Sequence, residues 1–217
     1  MEKIQMKKIF HSFYNKPHFA RRLTMVILAV IVMGFALSLL LLVDLGTDPC
    51  TMMNKAISER LGLSIGNWQA VFNIILLIAV IIFGGRNLGF GTLANMFLVG
   101  YSIDFFNMVW ERVLPLEWFD ILWVKAAVFI PALPIFVIAA AVYMDVDLGT
   151  APYDAVPYII SERLPKVNFR IIRIIFDFAT IGIGVLLGGS LEIVTILMAL
   201  LLGPTIGIVG KRLERLL

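Results

Sequence analysis

The sequence predicts an all-α polytopic membrane protein with six transmembrane helices, arranged as two inverted three-helix repeats that each carry a short extra amphipathic or re-entrant helix. The first observation that supports this prediction is the amino-acid composition. Hydrophobic residues make up 60% of the 217-residue chain and charged residues only 15%, whereas soluble proteins carry about 25% charged residues. Six apolar stretches have roughly the length that a bilayer core requires. The chain also repeats its own motifs at a fixed spacing, which indicates a duplicated half.

The repeat is visible in two motifs. Leu-Gly-Thr-Asp-Pro at 45–49 returns as Leu-Gly-Thr-Ala-Pro at 148–152, an offset of 103 residues (148 minus 45), and Ser-Glu-Arg-Leu at 58–61 returns at 161–164 with the same offset. We therefore expect one membrane domain over 1–217, with repeat one at about 21–110 and repeat two at about 121–213. Internal repeats are common in small-molecule transporters, whose binding site lies between the halves.

The apolar stretches mark the expected spans, at about 23–43, 67–83, 89–110, 121–144, 170–187 and 191–209. A short helix is expected after the first span and again after the fourth, each beginning at the proline of the repeated motif. Thr47 or Asp48 in the first copy, and Thr150 in the second, are the N-cap candidates, because a proline is well tolerated at the first helical position.

The distribution of lysine and arginine predicts the orientation. With the N-terminus in the cytoplasm, fourteen of the 18 basic residues fall on the inner side and four on the outer side, as the positive-inside rule requires. Both termini are therefore expected in the cytoplasm. Because each repeat contributes three spans, an odd number, the second half must enter the membrane upside down relative to the first.

These motifs also carry a family resemblance. The repeated turn at 45–49, Gly-Phe-Gly-Thr-Leu at 89–93 and the spacing of Gly100 and Asp104 resemble the YczE/YyaS/YitT family of bacterial integral membrane proteins. The resemblance implies a multi-pass protein of the bacterial cytoplasmic (inner) membrane. The second copy has Ala151 in place of Asp48 and Gly207 in place of Asp104. If the acidic residues matter, the two halves contribute unequally.

Asp177 is the first candidate for a substrate-binding residue, because it lies about nine residues into the fifth span, close to the bilayer centre. A carboxylate there costs about 2.5–3.5 kcal/mol even on lenient insertion scales, so it must face protein, pair or take up a proton. Arg173 lies one helical turn away, four residues earlier. The two residues either form a structural ion pair within the helix or bind a proton or cationic group in alternation.

Further candidates are polar residues in or beside the spans. Asn73 occupies nearly the same repeat position as Asp177, which favours contact with substrate in a shared central cavity. Asn95 and Asp104 on the third span act either in substrate binding or in helix packing and a solvated mouth. The repeated turns, with Thr47, Asp48 and Thr150, either cap helices or offer helix N-termini to an anionic group of the substrate.

The sequence lacks the motifs of several classes of enzyme and nucleotide-binding protein. Both histidines, His11 and His18, precede the first span, and no nucleotide-binding or hydrolase motif occurs. No enzyme activity, cofactor, metal or nucleic-acid partner is therefore expected. The sequence favours a secondary, alternating-access transporter of a small organic solute, with proton coupling as one option. Its partners are then a small-molecule substrate and the lipid bilayer, and a homodimer is a possible assembly. The alternatives are a substrate-binding subunit of an energy-coupling-factor importer and a non-transporting membrane accessory protein.

Overall fold

The computed structural model describes residues 18–83 and 88–201, and over these ranges the chain is helical with no strands. A short 3-10 helix at Leu116–Asp120 separates the fourth and fifth helices. The α-helices are α1 (Phe19–Val43), α2 (Pro49–Leu61), α3 (Ile65–Ile82), α4 (Phe90–Val113), α5 (Leu122–Asp145), α6 (Pro152–Arg163), α7 (Phe169–Leu186) and α8, which begins at 193 and is described to 201.

The helices fall where the apolar stretches predict them. Helices α1, α3, α4, α5 and α7 match the first five predicted spans to within a few residues, and α2 and α6 are the two predicted short helices. The sixth predicted span begins as α8, and its remainder lies outside the described residues. Within the described part, α1, α3 and α5 are long and apolar enough to cross a membrane. Helix α7 also has 18 residues, but it contains Arg170, Arg173 and Asp177.

The offset found in the sequence recurs in the backbone. Adding 103 to the first residue of α1, α2 and α4 gives 122, 152 and 193, the first residues of α5, α6 and α8. The turns match as well, since Asp44 and Asp147 have φ values of 49° and 53°, and Gly46 and Gly149 have φ values of 115° and 109°. Such left-handed values favour glycine. The two copies of the motif therefore adopt the same local conformation.

The main hydrophobic core surrounds α1, which packs between α4 and α5. Fully buried side chains include Val30 and Leu40 of α1, Ile103 of α4 and Ala132 of α5. A Cβ added at Gly34 of α1 would overlap the Cβ of Ser102 on α4, so the two helices approach closely at that glycine, as small residues permit in membrane proteins.

Each short helix packs against a long helix of the other half. Helix α2 lies on α7, where Gly184 would bring a Cβ to 2.9 Å from Met52 Sδ. Helix α6 lies on α3, and Arg163 at its end donates to the carbonyl of Phe83 at 3.2 Å. Because α2 and α6 are equivalent in the repeat, as are α7 and α3, this cross-packing is reciprocal. Helix α6 also contacts α7, its neighbour in the chain, so both short helices lie against α7.

Candidate functional site

A buried charged cluster lies where α6 meets α7. Arg173 donates through one terminal nitrogen to Asp154 Oδ1 at 2.7 Å and through Nε to Asp177 Oδ2 at 3.0 Å. The side chain of Asp177 is only 3% exposed, and those of Arg173 and Asp154 are 17% and 19% exposed. Charges this poorly hydrated are tolerated only when they are paired and hydrogen-bonded. The ion pair predicted between Arg173 and Asp177 is therefore present, with Asp154 as a second anion.

Tyr153 holds the second oxygen of Asp177. Its hydroxyl donates to Asp177 Oδ1 at 2.8 Å and lies 3.2 Å from the hydroxyl oxygen of Thr180. The guanidinium of Arg173 also lies over the Tyr153 ring, 5.4 Å from the ring centroid, an attractive cation–π arrangement. Both oxygens of Asp177 thus accept hydrogen bonds, and the side chains of α6 and α7 fix the position of the carboxylate.

Asp48 of the first half is a further buried carboxylate, at the start of the helix that packs on α7. It is the N-cap of α2, and its Oδ1 accepts from the backbone N–H of Thr51 at 3.1 Å. The residue is 8% exposed, and its buried Oδ2 has no hydrogen-bond partner among the described residues. It lies in the turn before α2, outside the predicted spans, and burial raises the pKa of its carboxyl, as do the charges of Asp177 and Asp154 to a smaller extent.

The two repeated turns make reciprocal contacts with the N-termini of α4 and α8. Thr92 of α4 donates its hydroxyl to the carbonyl of Thr150 at 2.8 Å. Its repeat partner Thr195 accepts from the backbone N–H of Thr47 at 3.3 Å. Each turn is therefore held by the equivalent threonine of the other half, although the donor and acceptor are exchanged.

The first turn borders an open cleft of about 120 Å³. Its lining includes Thr47 and Thr195 together with acidic residues, of which Asp44 pairs with Lys55 at 3.2 Å. The lining residues are Leu40, Leu41, Asp44, Gly46, Thr47, Met52, Lys55, Ala56, Glu59, Gly188, Gly189, Ser190, Glu192 and Thr195. Neither Asn73 nor Asp177 lines this cleft.

Other predicted site residues make contacts between helices. The side-chain nitrogen of Asn73 lies 3.5 Å from the carbonyl of Met96 on α4, and Asn95 is buried on α4 itself. Asp104 accepts from the backbone N–H of Gly66 at 2.9 Å, in the first turn of α3. The described contacts of Asn73 and Asp104 therefore join α3 to α4.

The expectation that Thr150 caps α6 was wrong. Pro152 is the first residue of α6, so the N-cap is Ala151, which has no side chain that can accept a hydrogen bond. For the same reason Asp48, and not Thr47, caps α2, since Pro49 comes directly after it. Thr47 and Thr150 use their backbone groups to bind the opposite half instead.

Asp154 and Tyr153 were not among the predicted site residues. In the alignment of the two repeats, Asp48 is replaced by Ala151. An acid occurs three residues later, at Asp154, which is the repeat partner of Thr51. Each short helix therefore has a carboxylate at its start, at the N-cap of α2 and in the first turn of α6. A search for acids anywhere in the repeated first turn, rather than at one aligned position, would have found it.

These features define a class, a protein that is helical throughout its described residues, with membrane-length apolar helices and a buried cluster of charges between α6 and α7. The chain belongs to the family of unknown function DUF6198, which matches residues 20–211. It is similar to the uncharacterized protein YyaS of Bacillus subtilis (strain 168), at 26% identity over 170 residues that cover 74% of this chain and 83% of the relative. It is also similar to the uncharacterized membrane protein YczE of that organism, at 25% identity over 189 residues covering 87% and 85%. No solved structure matches it.

These comparisons confirm the resemblance to the YczE and YyaS proteins that the motifs predicted. The apolar helices and the relatives together support a membrane protein.

Proposed function

We propose that this protein is a secondary transporter of a small organic solute, working by alternating access between two inverted three-span halves in the bacterial inner membrane. The observation that carries the proposal is the buried cluster of Arg173, Asp154 and Asp177, together with the buried carboxylate of Asp48 at the start of α2, a helix of the other half that packs on α7. Ionisable groups inside a membrane domain are expensive and commonly mark substrate or proton pathways. Because α2 of the first half packs on α7, movement of one half against the other would change the surroundings of this cluster.

The equivalent backbones of the two halves support the inverted arrangement. In the proposed topology α1, α3, α4, α5, α7 and α8 cross the membrane, with both termini in the cytoplasm, and α2 and α6 enter from opposite faces. Reciprocal packing of α2 on α7 and of α6 on α3 is what a two-fold axis in the membrane plane produces. Rocking of one half against the other would then expose the cluster to either side.

The topology can be tested at a matched pair of exposed positions. Leu61 and its repeat partner Leu164 lie at the ends of α2 and α6 and are 55% and 50% exposed. In a Cys50→Ser background, which removes the single native cysteine, Leu61→Cys should react with an impermeant maleimide added outside intact cells. Leu164→Cys should react only after the inner face is made accessible. Labelling of both positions from the same side would exclude the inverted arrangement.

Transport is tested with purified protein. A metabolite library is first screened for solutes that raise the melting temperature, since a ligand that binds the folded state stabilises it by mass action. Hits are then assayed in proteoliposomes for exchange and for accumulation driven by a proton gradient. We expect Asp177→Asn to lose accumulation while exchange survives, and the exposed Asp120→Asn to behave as wild type. Full concentrative uptake by Asp177→Asn would move the coupling site elsewhere, with Asp104 and Asp48 the next residues to test.

The same preparation separates the two alternatives. A substrate-binding subunit of an energy-coupling-factor importer would copurify with an ATPase module and move solute only in its presence. An accessory protein would bind a partner or lipid and produce no protein-dependent flux of any solute. Flux by the purified chain alone contradicts both.

A further inference from the structure

Among the described residues, the carboxylates at the starts of α2 and α6 and on α7 outnumber the cations that contact them. Asp48, Asp154 and Asp177 bring three carboxylates, and the guanidinium of Arg173 is the cation that contacts two of them. Arg173 uses both of its described bonds on Asp154 and Asp177. Asp48 keeps one buried oxygen without a partner in the ranges 18–83 and 88–201. A buried carboxylate oxygen with no partner is strongly unfavourable unless a proton or another cation neutralises it.

An acidic cleft lies beside the turn that carries this carboxylate, and Asp48 itself is buried behind its wall rather than part of it. That wall includes Thr47, the residue directly before Asp48, and Thr195, which holds the Thr47 backbone. The charged residues of the wall are three acids and Lys55, whose amine lies 3.2 Å from Asp44 Oδ1 and 4.0 Å from Glu59 Oε1. The third acid is Glu192. A cleft that carries more acids than bases draws cations in and repels anions.

We infer that Asp48 is the binding position for the ammonium group of a small organic cation, which reaches it through the acidic cleft between α2 and the segment 188–195. The inference rests on the proposed function in that the ammonium compound is the transported solute, but binding is measured separately from transport. Under this inference the acid that binds the ligand is Asp48 and not Asp177. Asp177 keeps a positioning role, because its two oxygens are bound by Tyr153 and Arg173.

The geometry favours an ammonium over other cations. One oxygen of Asp48 already accepts from the N–H of Thr51, so a guanidinium that bonds both oxygens would have to share Oδ1 with that N–H, whereas an ammonium needs only the open oxygen. A divalent metal needs several oxygen, nitrogen or sulfur ligands, and no group of three or more His, Cys, Asp or Glu residues that could hold one exists in the part of the chain that the structure describes. An ammonium is compact, and one of its three N–H groups suffices for the open oxygen.

The test measures the melting temperature of the purified full-length protein in detergent against a set of matched probes. Ethanolammonium carries the charge, ethylene glycol is its neutral analogue, glycolate is its anionic analogue, and sodium chloride matches the ionic strength. We expect saturable stabilisation by ethanolammonium alone. Asp48→Asn should lose it, with apparent affinity falling at least about 30-fold, as when one partner of a buried charge pair is removed. Glu192→Gln should weaken it less, and Asp120→Asn should leave it unchanged.

Each other outcome overturns the inference. Stabilisation by sodium equal to that by ethanolammonium would indicate an inorganic cation site, and stabilisation by glycolate would indicate an anion site at the helix N-terminus. Retention of the ethanolammonium effect by Asp48→Asn would place the amine elsewhere. If no probe stabilises the wild type while Asp48→Asn unfolds at the same or a higher temperature, the Asp48 carboxyl is neutralised by a proton alone.

The two proposals fail in distinguishable ways. Asp48-dependent binding of ethanolammonium without protein-dependent flux in proteoliposomes would leave the site intact and remove the transport function. Flux of a neutral or anionic solute that depends on Asp177 would support transport and remove the ammonium site.

Discussion

The two copies of the Leu-Gly-Thr turn have the same backbone and different surroundings. The turn at 148–151 is closed by the N-terminus of α4, where Gly91 N donates to the carbonyl of Leu148 at 2.8 Å and Thr92 bonds Thr150. The turn at 45–48 makes one hydrogen bond of 3.3 Å to Thr195 and borders the cleft. The opposing residues explain the difference, because Gly89 and Gly91 let two backbones touch and their repeat partners, Glu192 and Val194, have side chains. The same turn is therefore covered by an opposing backbone in one copy and borders a cleft in the other, according to the residues that lie opposite it.

The carboxylates at the starts of the two short helices also differ, because only the one in the second half has a described ion pair. Asp154 in the second half is neutralised by Arg173 on the adjacent α7. Asp48 in the first half has a helix N-terminus and the N–H of Thr51, but no described ion pair among residues 18–83 and 88–201. The second half therefore provides carboxylates that are fixed by an ion pair with Arg173, and the first half provides a carboxylate oxygen without a described partner.

The largest expected effect comes from removing the compensating charge. Arg173→Ala leaves Asp154 and Asp177 buried without their cation, which should lower the free energy of unfolding by about 3–5 kcal/mol. Thermal unfolding in detergent measures this, and Arg170→Ala, at an exposed position of the same helix, should change little. The triple variant Arg173→Ala/Asp154→Asn/Asp177→Asn should recover part of the loss. No recovery would mean that the three residues are not coupled.

Closing the second turn depends on the absence of a side chain at Gly89. A Cβ there would overlap the carbonyl oxygen of Leu148, so Gly89→Ala should destabilise by about 3 kcal/mol, at the upper end for overpacking. The backbone of Gly89 is extended, with φ of −165°, and the expected effect is therefore steric. Glu192→Ala at the equivalent position should cost less than about 0.5 kcal/mol. Equal effects at both positions would show that the two turns are held alike.

Thr92 and Thr195, the equivalent threonines that bind the two turns, allow the strength of the two contacts to be compared. Thr92 donates to the carbonyl of Thr150 and accepts from the N–H of Gly89, so Thr92→Val removes two hydrogen bonds to backbone groups and should cost about 2 kcal/mol. Thr195→Val removes one long bond to Thr47 and should cost about half as much. Unfolding of the two variants under identical conditions decides the order. A larger loss at Thr195 would reverse the assignment of open and closed turns.

The smallest effect on stability is expected at Asp48. The amide oxygen of Asp48→Asn can still accept from Thr51, and loss of the charge relieves repulsion by Asp154 and Asp177, so the unfolding free energy should change by less than about 1 kcal/mol or rise. Asp154→Asn, which breaks a 2.7 Å ion pair, should be clearly destabilising in the same thermal assay. An Asp48 variant as unstable as the Asp154 variant would show that its carboxylate has a compensating partner.

The sequence predicted the helices because apolar length, proline positions and the repeated motif are local signals. The pair of Arg173 and Asp177 was predictable for the same reason, since residues four apart share one helix face. The partners of that pair were not predictable. Asp154 and Tyr153 reach α7 through the packing of α6 on it, which no periodicity encodes. The contact of Thr92 with Thr150 likewise depends on how the two halves meet, and only the equal spacing of the four threonines hinted at it.

The charged face of α7 has a consequence for how the protein is made. A translocon admits helices one by one according to their apolarity, and Arg173 and Asp177 each oppose entry by about 2.5–3.5 kcal/mol near the centre of a helix. Asp154 and Tyr153, which satisfy these two residues, lie just ahead of them on α6 and therefore leave the ribosome first. We expect α6 and α7 to enter the bilayer together as a preassembled hairpin, with the acceptor for the guanidinium already in place. Biogenesis would then depend on the same ion pairs that later define the site.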